Sequence, residues 1–357
     1  MTTLRAVALG YQGFGNVGDE AILAGIERLL DGSGIEVVAV IGGNREPIPA
    51  YPGAARVLSR RLLPTPAAVR AMRRAKVLLL AGGGLIHDHW PVVIPRYLAW
   101  SLLARGLGLR VAWVGVGLGP IRRPWARTMA GMTARLASAV TVRDQGSLEW
   151  IRHLAPRARA SLLPDPAFFL PPPGGSPRDG LGIIVRKPLP TQEHLEPALR
   201  AAIAGLARQR IADGQPVTLL SMERDLDYAR AISATSRGAN PSPPAARALP
   251  LEPAAALAEL GGFTEVVSMR LHGLILCALA DTPCLPIAYD PKVASTAALL
   301  GLGGHVTALH DVDAALLIDG LATVRDEAIR RMVRAAIDQI RSQSPHAVAP
   351  IRALVDG

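Results

Sequence analysis

Short aliphatic runs alternate along this chain with longer stretches whose apolar positions recur every three or four residues, a pattern that predicts strands and helices in turn. Arg5–Leu9 reads as a strand, and Glu20–Leu30 as a helix with Ile22, Ile26, Leu29 and Leu30 on one face. Strand-like runs follow at Ile35–Ile41, Lys76–Leu80, Val111–Val116 and Ala139–Val142, separated by helical candidates. This βαβα order argues for a parallel, doubly wound sheet. The pattern breaks at Pro171-Pro172-Pro173-Gly174-Gly175-Ser176-Pro177, which supports neither a helix nor a central strand. It restarts with Leu181–Val185, a helix over 194–212, Val217–Leu220 and Glu265–Ser268. At 357 residues the chain exceeds the ordinary ceiling for one core. The pattern therefore describes an α/β protein of two Rossmann-like, doubly wound domains facing a cleft. They cover residues 1–172 and 181–325, with a Pro/Gly linker at 173–180 and a C-terminal segment at 326–357. The helix of that segment, Asp326–Gln343, is long enough to pack back on the first domain.

Composition narrows the function classes. Half the residues are hydrophobic and 19% are charged, which excludes a disordered chain. Aromatics, at 4%, are too sparse for the stacking platforms that hold single-stranded nucleic acid. The net charge of +10 suits phosphorylated substrates or an anionic membrane surface, and no basic run or known motif directs it to nucleic acid. The first apolar run enters a glycine loop without a cleavage site, and none reaches the roughly 18–20 residues of a membrane span. Tyr97–Val116 comes nearest and is interrupted by Arg105 and Arg110, so a soluble, cytoplasmic protein is expected. Cys277 and Cys284 are the only cysteines; they form no CxxC or metal set and are expected to be free thiols.

Candidate chemistry sits where strands end. Gly13, Gly15 and Gly18 match G-x-G-x-x-G between a strand and a helix, the context of a dinucleotide site. Two features oppose that site: the second strand ends at Ile41-Gly42-Gly43-Asn44-Arg45 without a ribose-binding acid, and Asp19-Glu20 set negative charge where pyrophosphate would lie. A neutral, hydroxyl-rich ligand such as a sugar fits better, held by Asn16 and Asp19 beside Gly13 and Gly15; alternatively, Asp19 only caps the helix. Gly82-Gly83-Gly84 and Gly115–Pro120 read as further turns after strands, the first leading to His87-Asp88-His89. Consecutive side chains on an extended segment diverge, so no metal is expected there. Arg143 and Arg186 each end a strand and could clamp an anion or pair with a nearby Asp, such as Asp144 or Asp165. Arg270 and His272 stand between the strand at Glu265–Ser268 and the next helix, and Tyr289-Asp290-Pro291-Lys292 follows one helix and one short strand later. Only Lys76, Lys187 and Lys292 interrupt an otherwise arginine-only set of cations, which makes Lys292 notable. The competing account makes Lys292 a helix cap and His272 a core histidine.

These motifs together, including Val142-Arg143-Asp144 with Ser147, Asp165-Pro166-Ala167, Met269-Arg270-Leu271-His272 and Tyr289-Asp290-Pro291-Lys292-Val293, resemble the polysaccharide pyruvyl transferases. Within that family the resemblance is to enzymes that pyruvylate cell-wall polysaccharide for S-layer anchoring. It implies a GT-B-like fold and phosphoenolpyruvate as co-substrate, with no other cofactor. The implied acceptor is N-acetylmannosamine of a lipid-linked precursor, and the product a 4,6-pyruvate ketal with release of phosphate. His272 would be the catalytic acid/base; Arg143, Arg186, Arg270 and Lys292 would bind the donor; and Gly13, Gly15, Asn16, Asp19 and Asp88 would bind the acceptor.

A lipid-linked acceptor also implies peripheral contact with the inner face of the plasma membrane, for which Arg60-Arg61, Arg73-Arg74 and Arg122-Arg123 are candidate basic positions. His87 departs from the pattern expected before Asp88, and the Pro/Ala-rich Ser236–Pro250 matches no pattern. Two other functions remain: a GT-B glycosyltransferase using a nucleotide sugar, and a non-catalytic sugar-binding module.

Overall fold

The computed structural model describes residues 3–43, 55–58, 64–175, 177–236 and 243–355, with backbone only at 55–58. Asn44-Arg45 and Arg60-Arg61 lie outside the described residues. The chain divides into two compact units: Met1–Gly15, Asp19–Leu170 and Ile340–Gly357 form one, and Asn16–Gly18 with Pro171–Gln339 form the other.

The first unit is a seven-stranded sheet of β1 (Leu4–Leu9), β2 (Ile35–Gly42), β3 (Ala55–Leu58), β4 (Val77–Ile86), β5 (Arg110–Leu118), β6 (Ala139–Val142) and β7 (Ala160–Leu162). Its order is β3-β2-β1-β4-β5-β6-β7, and every pairing is parallel. The connecting helices are α1 (Val17–Leu30), α2 (Pro66–Arg73), α3 (Val93–Gly106), α4 (Pro124–Arg135) and α5 (Gln145–Leu154). Successive residues of a strand face opposite sides of its sheet. Thus Val7 and Leu9 enter one core with Leu78, Leu80 and Trp113, while Ala6 and Ala8 enter the other with Leu79, Ala112 and Val114.

The second unit has a six-stranded parallel sheet of β8 (Leu181–Ile184), β9 (Val217–Ser221), β10 (Ala245–Ala248), β11 (Glu265–Ser268), β12 (Cys284–Ala288) and β13 (Thr307–Ala308). The order is β10-β9-β8-β11-β12-β13. Its helices are α6 (Glu196–Ala212), α7 (Leu226–Thr235), α8 (Pro253–Gly261), α9 (Leu271–Leu279), α10 (Pro291–Leu299), α11 (Ala314–Val324) and α12 (Glu327–Arg352). Each sheet reverses its winding once, between β1 and β4 in the first and between β8 and β11 in the second. Crevices beyond the carboxyl ends of strands open at such switch points. Two Rossmann-like α/β domains of this kind are the GT-B-like fold.

Three local expectations are corrected. Gly82–Gly84 and Gly115–Gly117 are not turns beyond their strands but lie inside β4 and β5, which run on to Ile86 and Leu118. Pairing slips in register between Gly83 and Ile86, and Gly82 and Gly83 adopt φ of 55° and 75°, which glycine tolerates in a bulge. The last helix continues past Gln343 to Arg352, through Pro345 and Pro350. Tertiary packing outweighs the lost hydrogen bonds there, because Ala347, Val348, Ile351 and Leu354 enter the core of the first unit. Arg341 adds bonds to the carbonyls of Phe168 (3.1 Å) and Leu170 (2.6 Å). Finally, the helix expected over 194–212 begins with a tight 3-10 turn at Pro190–Leu195 before α6.

Glu265, the first residue of β11, is an acidic residue that is almost fully buried. Arg210 of α6 approaches it at 3.1 Å, and Arg325, at the end of α11, at 2.7 Å. One carboxylate therefore joins two helices to the central strand. Both cysteines are buried free thiols. Glu265→Ala strands two arginines without their shared partner and is expected to destabilise the second unit by about 3 kcal/mol, toward the low end for buried pairs because Arg325 is partly open to water. Denaturant unfolding of the two proteins side by side measures the difference.

Candidate functional site

In the first unit the loop after β1 is held from within. Gly13 and Gly15 take φ of 75° and 81°. The Gly13 amide donates to Glu20 Oε1 at 2.7 Å, and Gln12 Nε2 donates to the Asp19 carbonyl at 3.1 Å. In a dinucleotide site such loop amides face pyrophosphate; here a carboxylate already occupies one of them. Asn16 Oδ1 accepts from Gly18 N at 3.0 Å, which closes the turn into α1. Asp19 is buried in the first turn of that helix. Tyr11 stacks on Phe14 with centroids 4.3 Å apart. Burial pushes the Tyr97 phenol up to about 12, with Arg96 opposing and Asp19 and Tyr11 adding to the effect. Tyr11, Phe14 and Tyr97 are therefore neighbours of the loop that sequence reasoning did not assign to the site.

Arg143, just beyond β6, lies across bare glycines of the neighbouring β5 and of β4 beyond it. A Cβ on Gly117 would fall 2.6 Å from Arg143 Nε, and one on Gly84 3.7 Å from a terminal guanidinium nitrogen. A Cβ on Gly83 would lie 3.5 Å from Asp19 Oδ1, so Asp19 and Arg143 border the same glycine segment. Arg143 also forms both salt bridges weighed in the sequence, to Asp144 (3.3 Å) and to the buried Asp165 (3.5 Å). Asp144 in turn caps α5 by accepting from Ser147 N at 2.7 Å.

Asp88 has a positioning task. Its Oδ2 accepts from the amides of Arg122 (2.6 Å) and Arg123 (2.7 Å), so it braces the loop between β5 and α4. Burial alone would raise its pKa, but the amides of Arg123 and Arg122 and the charge of Arg123 hold it below the usual value. His87 and His89 have ring centroids 5.0 Å apart, and among the described residues no three potential metal ligands come together.

In the second unit Arg186, Arg270, His272 and Lys292 all stand beyond carboxyl ends of strands, next to the switch between β8 and β11. Ser268 shapes the turn out of β11: its Oγ accepts from Arg270 N at 3.1 Å and donates to Arg270 O at 2.9 Å. That leaves Arg270 as the residue before α9 and His272 in its first turn. The amide of Arg186 meets Met269 Sδ at 3.4 Å, and its guanidinium lies 4.4 Å over the Tyr289 ring. Tyr289 thereby bridges Arg186 to the Asp290-Pro291-Lys292 turn. Asp290 Oδ1 caps α10 by accepting from Lys292 N at 3.0 Å, and its Oδ2 faces Lys292 Nζ at 3.6 Å.

Two carboxylates in this cluster had escaped the sequence reading. Arg270 donates to Glu223 Oε2 and to Asp225 Oδ2, both at 2.8 Å. Although its burial acts the other way, Asp225 and Glu223 raise its pKa and hold it charged. Both acids follow β9 directly, so the strand-end criterion that selected the arginines would have found them too.

Two doubly wound units, each with charged side chains gathered at its switch point, define an α/β enzyme of GT-B-like fold. A family model described as polysaccharide pyruvyl transferase matches residues 16–291, and the chain belongs to that family. It is accordingly an enzyme of the pyruvyltransferase type acting on a sugar substrate. No curated protein sequence shows significant similarity to it. Among solved structures it is similar to a Listeria monocytogenes protein described as a UDP-N-acetylglucosamine 2-epimerase, with TM-score 0.61, 10% identity and coverage of 99% of this chain and 97% of that one. The UDP-N-acetylglucosamine 2-epimerase of Rickettsia bellii gives 0.58 at 8% identity, covering 99% and 97%. The E. coli ADP-heptose lipopolysaccharide heptosyltransferase II gives 0.51 at 13%, covering 90% and 98%. At these identities the likeness is one of fold. Among the described residues no helix is long and apolar enough to cross a membrane.

Asp88→Asn should lower stability at neutral pH by roughly 1.5–3 kcal/mol, the range for hydrogen bonds to a charged group. Because the folded-state pKa of Asp88 is depressed, its contribution is complete above the ordinary carboxylate range and lost as pH falls through the folded value. Melting curves of both proteins should therefore converge in acid. Gly117→Ala should drive the Arg143 guanidinium off β5 and cost roughly 1–3 kcal/mol, as overpacking does. In an Arg143→Ala background the same Gly117→Ala change should be nearly neutral, which a double-mutant cycle reads directly.

Proposed function

We propose that this enzyme transfers the pyruvyl group of phosphoenolpyruvate to a sugar, N-acetylmannosamine of a lipid-linked cell-wall precursor, forming a 4,6-ketal and releasing phosphate. The supporting observation is the set Arg186, Arg270, His272 and Lys292 at the carboxyl edge of the second sheet, in a chain of the polysaccharide pyruvyl transferase family. A donor with a carboxylate and a phosphate needs several cations, and these four residues stand on three neighbouring strand ends. The acceptor would be taken by the loop at Gly13, Gly15 and Asn16 and by Asp19. Asp88 would contact the acceptor as well as brace the loop beside it. The precursor is made at the inner face of the plasma membrane in this reading, and the enzyme works there from the cytoplasm.

The chemistry follows from the donor. A proton adds to the methylene carbon of the enol phosphate and makes it a methyl group. One sugar hydroxyl then bonds to the neighbouring carbon, phosphate leaves with the bonding pair, and the second hydroxyl closes the ketal. Of the two hydroxyl protons released, one balances the proton delivered to carbon and the other departs with phosphate. His272 is suited to carry the proton because imidazole titrates near neutrality. The arginines and Lys292 would hold the carboxylate and offset charge on the departing phosphate. Arg270 reaches an anion only by sharing or leaving Glu223 and Asp225, so donor binding would redistribute that ion pair.

The same acidic pair favours one rival, a glycosyltransferase using a nucleotide sugar, since carboxylates accept from ribose hydroxyls. Phosphate release and acceptor mass, followed together with phosphoenolpyruvate and a short-chain acceptor, separate the two. An acid-labile pyruvyl adduct supports the proposal; nucleotide-sugar turnover without donor binding sinks it. His272→Ala should reduce kcat by about 10²- to 10⁴-fold while leaving donor affinity within a few-fold. Unchanged turnover in that variant would remove His272 from the chemistry.

A further inference from the structure

The first unit carries an exposed aromatic patch that neither its core nor the proposed chemistry uses. Trp90 is 69% exposed, Val92 61% and Trp125 41%, far more than large apolar side chains usually are. Trp90-Pro91-Val92 follows β4 and leads into α3, while Arg122-Arg123-Pro124-Trp125 follows β5 and leads into α4. Asp88 clasps the two loops together through the amides of Arg122 and Arg123, with a further bond of 3.2 Å from its own amide to Pro120 O. Helices α3 and α4 pack on each other immediately behind. The tryptophans therefore belong to one edge of the unit. It is the carboxyl edge, where Asp19, Gly83 and Arg143 also lie.

The charge around the patch is one-sided. Between Asp88 and Asp144 the chain has no acidic residue and eight arginines, and Arg122, Arg123 and Arg127 are exposed beside Trp125. Tryptophan settles at the headgroup level of a bilayer, where its ring is buried and its N–H stays wet. Exposed arginines alongside add attraction to anionic lipid within a Debye length of about 10 Å. A soluble partner would have to match both the exposed tryptophans and the exposed arginines beside them, whereas an anionic membrane surface accepts both.

We propose that Trp90, Val92 and Trp125, flanked by Arg122 and Arg123, form a docking surface for an anionic phospholipid bilayer, which holds the carboxyl edge of the first unit against the membrane. The reach of a lipid-linked acceptor to that edge rests on the function proposed above; the docking surface itself does not.

The test uses the full chain with vesicles of pure phosphatidylcholine or of phosphatidylcholine with a third phosphatidylglycerol, followed by co-sedimentation and tryptophan emission. Binding to the anionic vesicles with a blue shift is expected, weakening at high salt. The pair Trp90→Ser and Trp125→Ser should lower that binding about tenfold or more, and Arg122→Gln should lower only the anionic increment. Melting curves establish that the variants fold. Equal binding by the double variant, or no partition into either vesicle, overturns the proposal, as does concentration-dependent self-association that the double variant abolishes. Turnover of a water-soluble acceptor should be unaffected by the double variant. If even the unaltered enzyme fails with phosphoenolpyruvate and that acceptor, the pyruvyl-transfer reading falls while the vesicle result stands on its own.

Discussion

A parallel strand covered on both faces can place a polar side chain only at its ends. That constraint organises both units of this protein. Along β1, β4, β8 and β11 the interior is aliphatic or small, and charge is concentrated where the strands stop. Arg143, Arg186, Arg270, His272, Glu223 and Asp225 are all strand-end residues, and their chemistry depends on which strands the winding makes neighbours. Glu265 is the counterpart at the opposite end of a strand. A carboxylate at the amino end of β11 is accommodated only because two arginines meet it there.

The same constraint explains what could be read from the chain. Central strands announce themselves through aliphatic runs, so Ala139–Val142 and Glu265–Ser268 match their sequence limits, and β1, β2, β8 and β9 differ by a residue at one end. Edge strands need no such run. Ala245–Ala248 and Thr307–Ala308 carry no pattern distinguishable from loop, and both lie at the margins of the second sheet. Bulges were hidden for a different reason: a glycine that continues a strand at positive φ has the same letter as one that ends it, as Gly82 and Gly83 illustrate. At the end of the chain, Pro345 and Pro350 signalled a stop that buried neighbours override.

For the candidate site, residue types and strand-end positions were legible, while partners were not. Nothing in the linear order links Arg270 to Glu223 and Asp225, which precede it by more than forty residues. Likewise the contact of Arg143 with Gly117 depends on β5 and β6 lying side by side. Asp88 shows the reverse case. Its motif drew attention as a ligand contact, and the structure adds a bracing role that the motif does not announce, since its carboxylate fixes a loop through two main-chain amides.

The final helix has a consequence for how the protein is made. Ala347, Val348, Ile351 and Leu354 complete a core whose other members lie between Ala6 and Leu163. During synthesis the strands of the amino-terminal unit emerge first, yet the unit lacks this layer until residues 340–354 have been made. Until then the apolar surface meant for the helix stays open, and the nascent chain is exposed to aggregation while the whole second unit is synthesised. Cutting the gene at the proline-rich segment would yield an amino-terminal fragment permanently in that unfinished state.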